Sequence, residues 1–263
     1  MQDTGYVRSH PENGVTTIEF FHPKSNSLPT KILDELTKEI HYAGAHDTKV
    51  IVLRSAGQGA FCAGASLEEL MAIQNEKQGI AFFMGFANVI NAMRKCTKLI
   101  IGRIHGKCVA GGVGLAAAVD YAIAVDTCEI KLSELSIGIG PFVIGPAIER
   151  KTGASAFSQL AIDSTLWRTA DWAKKRGLFA EVHESIQNMD DSVNRLANTL
   201  ARLSPDAMAE MKKIFWKGTD HWDVLLKERA MISGRLILSD FAKNAISKIK
   251  MNPNKSKSTD NNS

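Results

Sequence analysis

Three short runs constrain this chain more than anything else in it. Val50–Leu53, Leu99–Ile104 and Tyr121–Val125 are largely apolar stretches of strand length, and helical sequence lies between them. A strand that is apolar on both faces is buried on both faces, which suits a parallel sheet covered by helices. Strand–helix–strand alternation then joins neighbours by right-handed crossovers. Val15–Phe21 reads as a further strand and Glu129–Leu132 as a possible fourth β segment after it. Between them, Lys31–Tyr42 places Ile32, Leu33, Leu36 and Ile40 on one helical face, and Gly79–Cys96 and Gly111–Val119 also read as helices. From Pro141 onward the pattern is almost wholly helical, through a helix starting near Pro146, then Ala154–Ile162, Ser185–Leu203, Pro205–Trp216 and Trp222–Ile249. Ser204-Pro205-Asp206 is a helix start with proline at the first helical position. Asn252–Ser263 is nearly free of apolar residues and is expected to be disordered.

The chain has 263 residues, enough for one large domain or two unequal ones, and enough to bury a core without a disulfide or metal staple. A net charge of +4 is too weak to argue for nucleic acid. No uncharged stretch reaches the roughly 18 apolar residues of a membrane span, and the first residues carry no secretory pattern. Cys62, Cys96, Cys108 and Cys128 form neither a CxxC clip nor a zinc-finger spacing, so they read as buried reduced thiols. The expectation is a cytoplasmic protein that holds no metal. His105 and His183 read as hydrogen-bonded structural histidines, and Trp216 and Trp222 as core or interface residues.

Gly112–Ala117 matches the dinucleotide pattern GxGxxA, but it lies too far beyond the strand ending at Ile104 for a nucleotide turn. Two other segments have more chemical content. Gly59–Leu67 and Ile104–Gly114 are small-residue turns that follow buried strands and run into helices. Small residues let a ligand approach bare backbone, and N–H groups at a helix start are unpaired and lie at the positive end of its dipole. Two such groups aimed at one carbonyl oxygen would form an oxyanion hole. Taken singly, each such turn is more often a site of tight helix–sheet packing.

Several ordered motifs together resemble the crotonase family, the enoyl-CoA hydratases and isomerases, from about Val15 to Ile249. His22–Leu28 is similar to RP-x-x-NAL, and Phe61–Leu67 to F-C-A-G-A-D-L with Ser66 where aspartate is usual. Ala110–Leu115, closing at Asp120, resembles GGG-x-x-L…D, and Thr169–Val182 resembles A-x-x-A-x-x-x-G-L-x-x-x-V. The resemblance implies an α/β fold, a crotonase-like spiral of repeated ββα units with a C-terminal helical trimerisation region, assembled as a homotrimer or hexamer. The spiral core would span 1–200, the trimerisation helices 201–250 and the tail 251–263. It implies an acyl-CoA thioester as substrate, with CoA part of that substrate and no separate cofactor. The hole amides would be those of Ala65 and Gly111. Lys24 and Ala63 would lie near the CoA, and Ser66, Leu67 and Gly112 would also bind the substrate.

Family hydratases use two glutamates twenty positions apart. Here the first position is Gly114 and the second is Glu134, so one acid remains. Adding water calls for one group to activate it and another to deliver a proton. A single carboxylate can instead carry a proton between two carbons, which favours moving a double bond from the 3- to the 2-position. Ser136–Phe142 resembles the G-I-x-x-P-F stretch of enoyl-CoA isomerases and would place Ile139, Pro141, Phe142 and Val143 around the acyl chain, with apolar walls lifting the Glu134 pKa. A hydratase acting on a branched or unsaturated enoyl-CoA, an acyl-CoA decarboxylase and a non-catalytic acyl-CoA-binding scaffold stay open as alternatives.

Overall fold

The structure, a computed structural model, describes residues 5–251. The chain opens with a hairpin of β1 (Tyr6–Glu12) and β2 (Val15–Phe21), in which Glu12 pairs with Val15. Its two-residue turn, Asn13-Gly14, has φ of 49° and 82°, the positive values that match the twist of the flanking strands. β2 then pairs in parallel with β3 (Val50–Ser55), β3 with β4 (Leu99–Ile104), β4 with β6 (Tyr121–Val125) and β6 with β9 (Glu181–His183). The strand order of this six-stranded sheet is β1-β2-β3-β4-β6-β9. A second sheet holds β5 (Cys108–Val109), β7 (Glu129–Lys131) and β8 (Arg168–Thr169). β4–β5 is followed by α4 (Gly111–Ala118), and β6–β7 by α5 (Gly145–Ile162). Each of these ββα units thus sends its first strand to the large sheet and its second to the small one.

α1 (Thr30–Ala45) and α3 (Glu76–Lys95) bury their apolar faces in the core. α2 (Leu67–Ala72) is a short helix before α3, and α6 (Ala170–Lys175) and α7 (Ile186–Leu200) flank β9. The C-terminal part is less uniformly helical than its periodicity suggests, because β8 and β9 are too short to leave a pattern. α5 is broken at Gly153, which takes φ 77°. The expected single helix Trp222–Ile249 is two, α9 (Trp222–Leu236) and α10 (Asp240–Met251). The Ser239 hydroxyl accepts the Ala242 N–H at 3.2 Å and starts the second of them. Residues 252–263, where a disordered tail is expected, lie outside the described residues.

Two contacts fasten the C-terminal helices to the sheet layer. α9 crosses α3 where Gly234 meets Gly79, and a Cβ on Gly79 would stand 2.7 Å from the Gly234 carbonyl oxygen. α8 (Pro205–Phe215) is held through Asp120, just before β6. Its carboxylate accepts from the Ile100 N–H at 2.8 Å and the Trp216 Nε1–H at 2.8 Å, and is paired with buried Lys212 at 2.9 Å. Lys212 also donates to the Lys98 carbonyl at 2.7 Å. Trp216 and Trp222 are both buried, with rings edge to face at 5.8 Å. No helix among the described residues is long and apolar enough to cross a membrane.

Candidate active site

The turn after β3 is held from the His22–Leu28 segment. Ser25 and Asn26 take positive φ, and the Asn26 side chain donates to the carbonyls of Ala56 and Ala60, each at 2.9 Å. The Ala63 N–H donates to the Ser25 carbonyl at 3.1 Å. Leu28 then donates to the Gly64 carbonyl at 2.7 Å and accepts from the Ser66 N–H at 3.4 Å. Those bonds use the peptide groups on either side of Ala65. Backbone alternation therefore turns the Ala65 N–H away from Leu28.

The second turn arrives against the first. Gly64 has φ 85°, and a Cβ there would lie 2.9 Å from the Ala110 Cβ and the Val109 carbonyl and 3.3 Å from the Gly111 nitrogen. Only glycine lets the two turns touch. Ala110 donates to the Lys131 carbonyl at 2.9 Å, and its own carbonyl accepts from Val113 at 2.9 Å and Gly114 at 3.3 Å. The Gly111 N–H, at the first position of α4, is one of the donors a helix start leaves without an intrahelical partner. Ala65 and Gly111 both line one cavity of about 470 Å³.

Glu134 enters the same cavity on a single turn of 3-10 helix, Glu134–Ile137. That turn ends at Gly138, with φ 77°, and the Phe241 ring of α10 packs where a Cβ would stand. Glu134 is 8% exposed, and its Oε2 finds no hydrogen-bond partner among the described residues. Burial lifts its carboxyl from 4.5 to about 7. The apolar part of the surrounding wall includes Ile139, Pro141, Phe142 and Ile144. At Gly114, the position where the resemblance implies a second acid in family hydratases, a Cβ would stand 2.5 Å from Ile144 Cγ2, so that space is already filled.

Of the residues expected from sequence, Ala63, Ala65, Leu67, Gly111, Glu134, Ile139, Pro141 and Phe142 line the cavity. Lys24, Ser66 and Gly112 are not in its lining. Lys24 is exposed and ion-paired with Glu68 on α2. The Ser66 hydroxyl caps α2 by accepting the Glu69 N–H at 3.4 Å. Gly112 packs on the backbone of Cys62, which leaves no room for a side chain. Sequence reasoning missed Phe83 and Phe86 of α3, Ile144, Lys131 and Trp167. The phenylalanines are legible as part of a helix face, but nothing local says what that face meets.

Elsewhere, His183 Nε2 lies 2.8 Å from Glu181 Oε2, as expected of a hydrogen-bonded histidine. His105 departs from that expectation. Both its ring nitrogens are buried without a hydrogen-bond partner among the described residues. Burial, reinforced by Arg103, pulls its pKa down to about 4 and keeps the ring neutral. The four cysteines are free and buried. Among the described residues, no cluster of side chains could hold a metal ion.

The family model for enoyl-CoA hydratase/isomerase matches residues 10–250. A (7aS)-7a-methyl-1,5-dioxo-2,3,5,6,7,7a-hexahydro-1H-indene-carboxyl-CoA hydrolase of Mycobacterium tuberculosis is 27% identical over 196 residues, 73% of this chain and 76% of that protein. A peroxisomal Delta(3,5)-Delta(2,4)-dienoyl-CoA isomerase of Arabidopsis thaliana is 25% identical over 231 residues, 81% of each chain. The crystal structure of an enoyl-CoA hydratase from Bacillus halodurans superposes with a TM-score of 0.85 at 20% identity, covering 92% of this chain and 99% of that one.

Proposed function

The chain belongs to the enoyl-CoA hydratase/isomerase family, and from that premise we propose that it isomerises a 3-enoyl-CoA to the 2-enoyl-CoA with Glu134 as its single base. The thioester oxygen accepts from the Ala65 and Gly111 amides. Glu134 removes a proton from C2, and the electron pair moves onto the thioester oxygen as the enolate. The double bond then shifts from C3–C4 to C2–C3 as Glu134, after exchanging its proton with solvent, delivers a proton to C4. Nothing is consumed, and the carboxylate is regenerated.

The observation that carries this reading is Ile144 standing where a Gly114 carboxylate would have to go. With that space filled, position 114 cannot supply a second acid to share a water with Glu134, whereas a proton relay between carbons has no use for one. A placed general base contributes typically about 10²- to 10⁴-fold. Each hole donor contributes about 3 kcal/mol where negative charge develops. A carboxyl held at about 7 by an apolar wall is a stronger base than an exposed glutamate and still ionises near neutrality.

Incubation with a 3-enoyl-CoA in deuterated water tests the proposal. Conversion to the 2-enoyl-CoA, with deuterium at C2 and C4 and no hydroxyacyl product, is the expected result. Accumulation of a 3-hydroxyacyl-CoA would replace the isomerase reading with the hydratase one. Hydrolysis, named for the mycobacterial relative, would appear as uptake of label from oxygen-labelled water.

A further inference from the structure

Among the described residues that line the cavity, Lys131 is the one with a cationic side chain. Its backbone is fixed beside the hole. It ends β7, stands in register with Val109 of β5, and its carbonyl accepts the Ala110 N–H one residue before Gly111. Its side chain leans on Trp167, another cavity residue, with Nζ 4.2 Å from the ring centroid. Lys107 lies on the same indole at 4.5 Å and is paired with Glu129 at 2.9 Å. Glu129 and Lys131 share a face of β7.

An ammonium resting on an indole is held in place by the ring quadrupole, and its three N–H donors allow it to serve more than one partner at once. A hydrocarbon tail laid against it would strip water from a charge and return nothing. An anionic oxygen would return a charge-assisted hydrogen bond. Lys131 and Trp167 are both half-buried, so a charged group there keeps part of its hydration and avoids the full cost of burial. Leu70, Phe83, Phe86, Ile139 and Ile144 make an apolar stretch of the remaining wall, which suits a short carbon chain between the thioester and that charge.

We infer that the acyl group this cavity takes ends in a carboxylate bound by Lys131, which makes the substrate the CoA thioester of an unsaturated dicarboxylic acid. The inference rests on the acyl-CoA reading above, but not on which carbon Glu134 deprotonates. Saturated thioesters separate the two questions, because they bind without being turned over.

The test is calorimetric binding of matched pairs to the full chain: butyryl- against succinyl-CoA, hexanoyl- against adipyl-CoA, and octanoyl- against suberyl-CoA. In at least one pair the dicarboxylic thioester is expected to bind about tenfold tighter or more. Lys131→Met should bring that ratio close to one, and Lys131→Arg should retain most of it. No preference in any pair for the wild-type protein would overturn the inference, whatever the variants do. So would a ratio that survives in Lys131→Met. Equal weakening of both members of every pair would also overturn it and assign the cation to the CoA phosphates. Failure of every thioester to bind would sink the acyl-CoA reading itself, whereas failure of deuterium exchange alone would sink only the isomerase.

Discussion

In the proposed reaction, Glu134 concentrates the chemistry in one side chain. Replacing it with glutamine keeps its size and removes the base, so turnover is expected to fall by about 10²- to 10⁴-fold with thioester binding retained. The base must be ionised to act. The rate with wild-type protein should therefore rise with pH through about 7 and level off above it, as a pH–rate profile would show. An acid limb near 4.5 would mean the carboxyl is solvated in the working enzyme. Ala110 is a second informative residue. It takes φ 50° and ψ −119°, a conformation that suits glycine and strains alanine. Ala110→Gly should relieve that strain and stabilise the fold by about 1 kcal/mol, raising the thermal midpoint by a few degrees. The Gly-rich character of this turn is readable in the sequence. The strain is not, because it depends on Lys131 and Gly64 holding Ala110 from either side.

Elements fix what residues cannot. The base of α4 packs under the start of α5, and this contact places Ile144 over Gly114. Gly114→Glu is expected to create no hydratase. The new side chain would be driven into Ile144, costing about 1–3 kcal/mol or more, and crotonyl-CoA hydration should stay at background in a spectrophotometric assay. The attachment of α8 is the other case. Asp120 satisfies a strand amide, an indole and a buried ammonium together. Asp120→Ala would leave Lys212 charged, buried and without that carboxylate, so stability should fall by about 3–5 kcal/mol, measured as a shift of the urea midpoint. The sequence marks Asp120 only as the end of a motif. Its partners lie some twenty and more than ninety positions away, beyond any local pattern.

The cost of holding Glu134 is borne by the whole molecule. Below pH 4.5 the carboxyl is protonated whether the chain is folded or not. As pH rises, the unfolded chain ionises first, so stability is lost between 4.5 and about 7 and stays level above that. The loss is about 3 kcal/mol for a pKa raised to about 7. Glu134→Gln should therefore be more stable than the wild type above neutrality and similar to it below pH 4.5, as paired urea titrations would show. With Glu134 as the proposed base, catalysis and stability pull in opposite directions at this residue. The outer surface carries a separate expectation. Met211, Ile214 and Phe215 on α8 are 46%, 69% and 46% exposed, and the family resemblance implies a trimer or hexamer. Light scattering should then give three or six times 28.7 kDa.

Sequence alone determined the strands and helices with strong periodicity, the two glycine turns, and the survival of one acid at position 134. These rest on residues close together in the chain, where backbone preference and local hydrophobic spacing act directly. Only the tertiary structure decided that Gly64 and Gly111 abut, that Ile144 fills the space above Gly114, that Lys131 lies on Trp167 inside the cavity and that His105 is buried without a hydrogen-bond partner among the described residues. Each of these is a contact or burial between segments far apart in sequence. It is settled when the core closes, by which side chains then compete for the same volume.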